Sequence, residues 1–300
     1  ELFASLSLII FASVGLSILS KEIFKINFFG VKNYTFKISY IVIIFVLFTI
    51  PLIYPDSSSG NWISVVDISP TILNGGTNNP PTNDWLETLE WIKNNTPQDA
   101  VIASWWDYGY WITTVSDRTT LIDNATIFDS RIKHMASIFL SYPDEGWSML
   151  KEWDADYVVL FVAAQRLENY SNSGERLYVL GNGGDETKSQ WFIRIAGLPI
   201  QEYMYSDLRT INNNFLNNTL IGKMIPYSPI AYYDQKNQQS WTEFRPGFIP
   251  LYVEDIKYNS DDDPLKFVYA SPSFNDEKSG STNVVLVYKI NKNYNPLNSE

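Results

Sequence analysis

The stretch Ser104-Trp105-Trp106-Asp107-Tyr108-Gly109-Tyr110 concentrates side chains that could recognise a small polar ligand. Two adjacent indoles supply apolar walls and two N–H donors, and Asp107 adds a charged acceptor. Together they suit a group bearing one methyl and one hydroxyl, such as a Thr or Ser side chain. The competing reading is architectural: Asp107 would cap the following helix and the Trp pair would pack a strand onto it.

Other chemistry is narrowed by composition. The 300 residues contain no Cys and one His, His134, which excludes disulfides, thiolate metal sites and His-cluster zinc sites. A nucleophile activated by His is also disfavoured. His134 reads as a helix-surface residue. The run Asp261-Asp262-Asp263 could suggest a hard cation, but consecutive side chains in an extended chain point apart, and a solvated loop is the better reading. Net charge is −11. Lys21, Lys25, Lys32 and Lys37 against Glu1 and Glu22 leave the first 54 residues positive, so the acidity lies in the remainder. An acidic body repels a phosphate backbone, which argues against nucleic acid as a partner.

The elements that must position the Trp-Trp-Asp stretch follow from periodicity. Residues 2–20 and 38–54 carry no charge and are each close to the length that crosses a bilayer, so two membrane spans are expected within residues 1–54. The Lys-rich loop between them, 21–37, marks the cytoplasmic side and places everything after Tyr54 outside the cytoplasm. The chain begins at Glu1 and runs directly into apolar sequence, which reads as a fragment lacking its natural beginning. Residues 55–83, rich in Pro, Ser, Gly and Asn, read as a linker.

An α/β domain is expected over 84–225. Asp84 is a candidate N-cap for a helix that places Trp85, Leu86, Leu89 and Ile92 on one face and stops before Pro97. A strand over 101–104 leads into a helix over 108–115. Further expectations are a strand at 119–122, helices at 127–140 and 144–153, and a strongly apolar strand at 157–162. Helices over 185–196 and 205–225 complete the alternation of strands and helices that marks this class. Residues 226–300, with runs such as 267–270 and 284–290, read as a β-rich C-terminal part. In open α/β sheets, ligands sit at the edge where a strand ends, and the Trp-Trp-Asp stretch lies at such an edge.

Trp105-Trp106-Asp107-Tyr108-Gly109 resembles the signature of the catalytic subunit of oligosaccharyltransferases, the enzymes of asparagine-linked glycosylation, most nearly the archaeal type. The resemblance extends to Asn95-Thr96-Pro97, to residues 118–124 and to Asp156-Tyr157-Val158-Val159. A second family motif is matched by Asp185 and Lys188, with Phe192 standing where Met or Ile is usual. Taken from the residues alone, Asp185 would be an N-cap and Lys188 a solvated side chain.

The resemblance implies transfer of a glycan from a lipid-linked oligosaccharide to Asn in Asn-X-Ser/Thr acceptor polypeptides. Trp105, Trp106, Asp107 and Lys188 would bind the sequon Ser/Thr, supported by Tyr108, Gly109, Asp185 and Phe192. It also implies a divalent cation, Mn²⁺ or Mg²⁺, held by acidic loops that lie outside this chain, so that no catalytic or metal residue is expected within it. Rival readings are a membrane-tethered peptide- or glycan-binding module and a different polyprenyl-linked glycosyltransferase. The chain itself contains sequons at Asn33, Asn94, Asn124, Asn169 and Asn217.

Overall fold

The computed structural model describes residues 2–25, 34–55, 61–66 and 68–296, in two compact units, the first ending in sequence at Ile68 and the second beginning at Ser69. In the first unit, helices α1 (Leu2–Lys25) and α2 (Tyr34–Ile53) are long and apolar enough to cross a membrane. Their large apolar side chains are mostly exposed, the arrangement expected of surfaces that face lipid rather than water. Ser20 Oγ lies 2.8 Å from Tyr40 OH, and Lys37 Nζ donates to the Phe24 carbonyl at 2.8 Å. A single turn, α3 (Trp62–Val66), follows. Residues 26–33 of the Lys-rich loop, with Lys32 and Asn33, lie outside the described residues, as do 56–60 and 67 of the proposed linker.

The second unit is built on one mixed sheet. Helix α4 (Asp84–Asn95) buries Trp85, Leu89 and Ile92 and leads through Pro97 into β1 (Val101–Ala103). After a 3₁₀ turn at Trp106–Tyr108 come α5 (Gly109–Val115), β2 (Thr119–Thr120), α6 (Asp129–Leu140) and α7 (Pro143–Glu152). Strand β3 (Tyr157–Tyr170) is followed by β4 (Arg176–Leu180) and α8 (Asp185–Ala196). The short helices α9 (Ile200–Tyr203), α10 (Asn213–Asn218) and α11 (Leu220–Met224) precede β5 (Tyr227–Asp234) and β6 (Gln239–Trp241). Strands β7 (Ile249–Glu254), β8 (Leu265–Ala270) and β9 (Gly280–Ile290) complete the fold.

Strand β3 is the axis of the sheet. Its first eight residues, Tyr-Val-Val-Leu-Phe-Val-Ala-Ala, are all buried, as a run apolar on both faces requires. Along one edge it pairs antiparallel with β9 from Tyr157↔Lys289 to Arg166↔Gly280, and β8 flanks β9. The other edge is divided. Near its start β3 pairs in parallel with β1 through Tyr157 and Val158; from Ala164 onward it pairs antiparallel with β4. The strands after residue 226 therefore join the same sheet as β1 and β3.

Three local expectations fail for identifiable reasons. Asp84 is the first residue of α4, not its cap; its carboxylate accepts from Ser273 N (2.9 Å) and Ser273 Oγ (2.7 Å), far away in sequence. Residues 205–225 do not form one helix. Asp207 Oδ1 accepts from the Arg209 and Thr210 amides, Leu208 takes a left-handed φ of 54°, and Asn212 and Thr219 cap two separate short helices. Side chains that bond their own backbone break a helix in this way. The strand expected at 157–162 continues to Tyr170, because β4 folds back beside it.

Candidate functional site

The divided edge of β3 creates the site. Between Val158, the last partner of β1, and Ala164, the first partner of β4, no strand among the described residues covers that edge. Two acids at the start of α8 occupy the gap instead. Asp185 Oδ2 accepts from Phe161 N at 2.9 Å, and Glu186 Oε2 accepts from Ala163 N at 3.3 Å. Glu186 Oε1 also accepts from Gly184 N (3.1 Å) and Thr187 Oγ1 (3.2 Å). Backbone N–H groups that would otherwise be buried without partners are thereby satisfied. Neither acid caps α8 with its side chain: the cap position is Gly184, without a side-chain bond.

Where β1 leaves the sheet, the chain enters the Trp-Trp-Asp stretch, so the 3₁₀ turn at 106–108 faces the start of α8. Lys188 Nζ donates to Asp107 Oδ2 at 2.6 Å and to Tyr108 OH at 2.8 Å, and lies 3.8 Å from Asp185 Oδ1. Tyr108 OH donates to Asp185 Oδ1 at 2.7 Å. Lys188, Tyr108 and Asp185 thus close a ring of charge-assisted contacts to which Asp107 is joined through Lys188, contacts stronger than neutral ones in a partly buried setting. Asp107 makes no capping bond, so the architectural alternative for this residue is not realised. Its side chain retains 28% of its exposure, and among the described residues no donor reaches Oδ1.

Protonation follows from burial. Tyr108, fully buried, has its phenol raised well above its ordinary value, first by burial and then by Asp185; it therefore stays a donor. Burial also raises the Asp185 carboxyl, against the opposing pull of Lys188 and of the Phe161 and Tyr108 bonds. Glu186 is pushed up to about 7, again by burial first, with neighbouring Asp185 adding to it.

The two indoles divide the work. Trp105 is buried, its ring 4.2 Å from that of Phe192 in an edge-to-face contact, and Phe192 packs in turn on Phe139. Phe192 is thus the support behind Trp105 and has no exposed surface of its own. Trp106 is half-buried, its ring 6.4 Å from Trp105. Gly109 is required sterically: a Cβ there would lie 2.5 Å from Asp123 Cα and 2.6 Å from the Ile122 carbonyl oxygen.

That close approach brings in Asn124, to which sequence reasoning gave no role. Its Nδ2 donates to the Asp107 carbonyl at 2.8 Å, and its Oδ1 accepts from Tyr110 N at 3.1 Å, clamping the turn from both ends. Glu186 and Trp85, whose ring lies 4.5 Å from Tyr108, were also missed. Only Asn124 left a local signal, as the end of the 118–124 segment quoted above.

The residues do not fit a divalent cation: among the described residues no group of three His, Asp or Glu side chains converges. Asp261 pairs with Lys266 and Asp263 Oδ2 accepts from Ser260 N, so the acidic run is committed elsewhere. His134 stacks on Trp153 at 4.4 Å, away from the site.

Comparison with known proteins adds the following. Residues 97–176 match the family model for the STT3/PglB/AglB core domain. The dolichyl-diphosphooligosaccharide–protein glycosyltransferase subunit STT3 of Saccharomyces cerevisiae is 31% identical over 153 residues, 47% of this chain and 19% of that protein. The corresponding subunit stt-3 of Caenorhabditis elegans is 33% identical over 164 residues, 53% of this chain and 19% of that protein. The C-terminal globular domain of an oligosaccharyltransferase from Archaeoglobus fulgidus aligns with 70% of this chain and 99% of that domain, at 17% identity and a TM-score of 0.39. The chain therefore spans about a fifth of the length of these curated relatives.

Proposed function

We infer the function from kinship and site together: the chain is a relative of oligosaccharyltransferase catalytic subunits through its STT3/PglB/AglB core, and it is the part that reads the acceptor sequon. The complete protein, of the archaeal type, transfers a lipid-linked oligosaccharide to Asn in Asn-X-Ser/Thr polypeptides. The divalent metal, Mn²⁺ or Mg²⁺, belongs to segments outside this chain. Residues 1–54 anchor the protein in the bilayer with the Lys-rich loop inside; 55–83 connect them to the extracytoplasmic 84–225 and 226–300 parts.

The observation that carries this reading is the Asp107–Lys188 pair at 2.6 Å, which fixes one carboxylate oxygen and leaves Oδ1 to accept a hydroxyl. Trp106, half-buried beside it, offers apolar surface to the Thr methyl, and Trp105 is held in place by Phe192. A hydrogen bond to a charged acceptor contributes about 1.5–3 kcal/mol. A site built around a hydroxyl rejects acceptors lacking it, because its polar groups are then left unpaired.

The test uses the complete enzyme with lipid-linked oligosaccharide, Mn²⁺ and peptide acceptors. Asp107→Ala is expected to lower kcat/KM for Asn-X-Thr by about 10- to 100-fold, the loss of one such bond. Preference for Asn-X-Thr over Asn-X-Ala should shrink with it. If Asp107→Ala leaves that preference intact, Asp107 does not read the hydroxyl.

A further inference from the structure

The same sequence that is proposed to read sequons also contains them, and the fold treats the four within the described residues very differently. Asn124-Ala125-Thr126 is committed to the site: Asn124 Nδ2, the atom a glycan would occupy, donates to the Asp107 carbonyl at 2.8 Å. Asn94 and Asn217 are exposed, but their hydroxyl partners are locked in helix ends. Thr96 donates to the Ile92 carbonyl (2.7 Å) and accepts from Arg118 Nε (2.9 Å). Thr219, 1% exposed, donates to the Phe215 carbonyl (2.7 Å) and accepts from Gly222 N (3.0 Å).

Asn169-Tyr170-Ser171 lies instead at a hairpin end, outside any helix cap and outside the site. Asn169 and Tyr170 are the exposed, extended end of β3, Asn169 lying within the register shift between Arg166 and Tyr170 and Tyr170 pairing with Arg176. No hydrogen bond holds the Asn169 carboxamide among the described residues, and the neighbouring Tyr170 ring is itself 55% exposed. Ser171, half-buried, opens the exposed β3–β4 turn, and its hydroxyl bonds only within that turn, accepting from Glu175 N at 3.0 Å, meeting Ser173 Oγ at 2.9 Å and donating to Glu175 Oε2 at 3.4 Å. An extended backbone with a free amide nitrogen, and a hydroxyl held only by a local turn that can open, is the form in which a sequon can enter a hydroxyl-reading pocket.

We propose that Asn169 is a glycan acceptor on the folded protein, while Asn124 stays bare as a clamp of the recognition turn. The proposal rests on the function inferred above for its donor, a lipid-phosphate-linked oligosaccharide. Asn169 Nδ2 forms a bond to C1 of the reducing-end sugar. The bond from C1 to the lipid phosphate oxygen breaks, its electron pair leaves with that oxygen, and one amide proton passes to solvent. The acceptor lies at the far end of the hairpin from the gap in the sheet, so a glycan there does not obstruct Asp107.

The experiment is peptide mass mapping of the full-length protein isolated from its own membranes. A secreted reporter bearing one Asn-X-Thr sequon is co-expressed in the same cells. Expected is a glycan mass on the peptide containing Asn169, its disappearance in Ser171→Ala although Asn169 remains, and unmodified peptides at Asn94, Asn124 and Asn217. A bare Asn169 beside a glycosylated reporter overturns the proposal and leaves the function standing. A glycan on Asn124, or one at Asn169 that survives Ser171→Ala, also overturns it. A reporter left bare overturns the functional reading and this proposal with it.

Discussion

Glu186 offers the sharpest test of how the site is supported. It is 4% exposed, fills the gap in the edge of β3, and has its carboxyl pushed from about 4.5 up to about 7 by burial. Below about pH 4.5 the folded and unfolded chains both hold this proton. As pH rises the unfolded chain releases it first while the folded chain keeps it, so stability falls until about pH 7 and then levels off. At 1.36 kcal/mol for each pH unit, the raised carboxyl costs about 3 kcal/mol across that window.

Glu186→Gln removes the titration while keeping one oxygen acceptor, and so imitates the protonated folded form. Denaturant unfolding of variant and parent at a series of pH values from 4.5 to 8 isolates the effect, because titrating groups that do not interact with Glu186 cancel in the difference. The variant should gain about 3 kcal/mol relative to the parent between pH 4.5 and 7. A difference that stays constant across that range would refute the reasoning, since it would mean that Glu186 is solvated or has another proton donor.

Two further outcomes test the ring and the turn. Tyr108→Phe leaves no cavity but removes the hydroxyl shared by Asp185 and Lys188; it should cost about 2–3 kcal/mol in thermal or denaturant unfolding, and an unchanged midpoint would mean the hydroxyl contributes nothing. Gly109→Ala forces the 122–124 backbone away and with it the Asn124 clamp. It should reduce acceptor use by the complete enzyme and destabilise by on the order of 1–3 kcal/mol, whereas full activity would show that the clamp is dispensable.

What sequence reasoning could reach was set by the range of the interactions involved. The helices at 84–95, 109–115, 129–140, 143–152 and 185–196 show in apolar spacing and in stop signals such as Pro97 and Gly197, all local features. The buried run at 157–164 shows in its composition. The partners of Asp84 and Glu186 do not, because Ser273 and Ala163 are brought to them only by tertiary structure. The break at 205–225 is spelled by Asp207, Asn212 and Thr219, whose capping use competes with the helical pattern that an apolar count alone favours. In the site, residue types pointed to Asp107 and only the family resemblance to Lys188, while the edge-to-face support of Trp105 by Phe192 and the clamp by Asn124 depend on which elements meet.

The long pairing of β3 with β9 has a consequence for the order of assembly. Tyr157 meets Lys289 and Arg166 meets Gly280, contacts separated by more than a hundred residues, so the axis of the sheet closes only after β9 has emerged. Pairings of such high sequence separation are slow to form, and they leave the apolar β3 uncovered on one edge until they do. The gap that seats Asp185 and Glu186 is defined by the position of β3, and the setting of the 106–108 turn by those acids. A nascent chain therefore has no finished Asp107–Lys188 site while β9 is still being synthesised, and a ribosome stalled before Gly280 should display a domain that collapses but does not present Asp107 in its final setting.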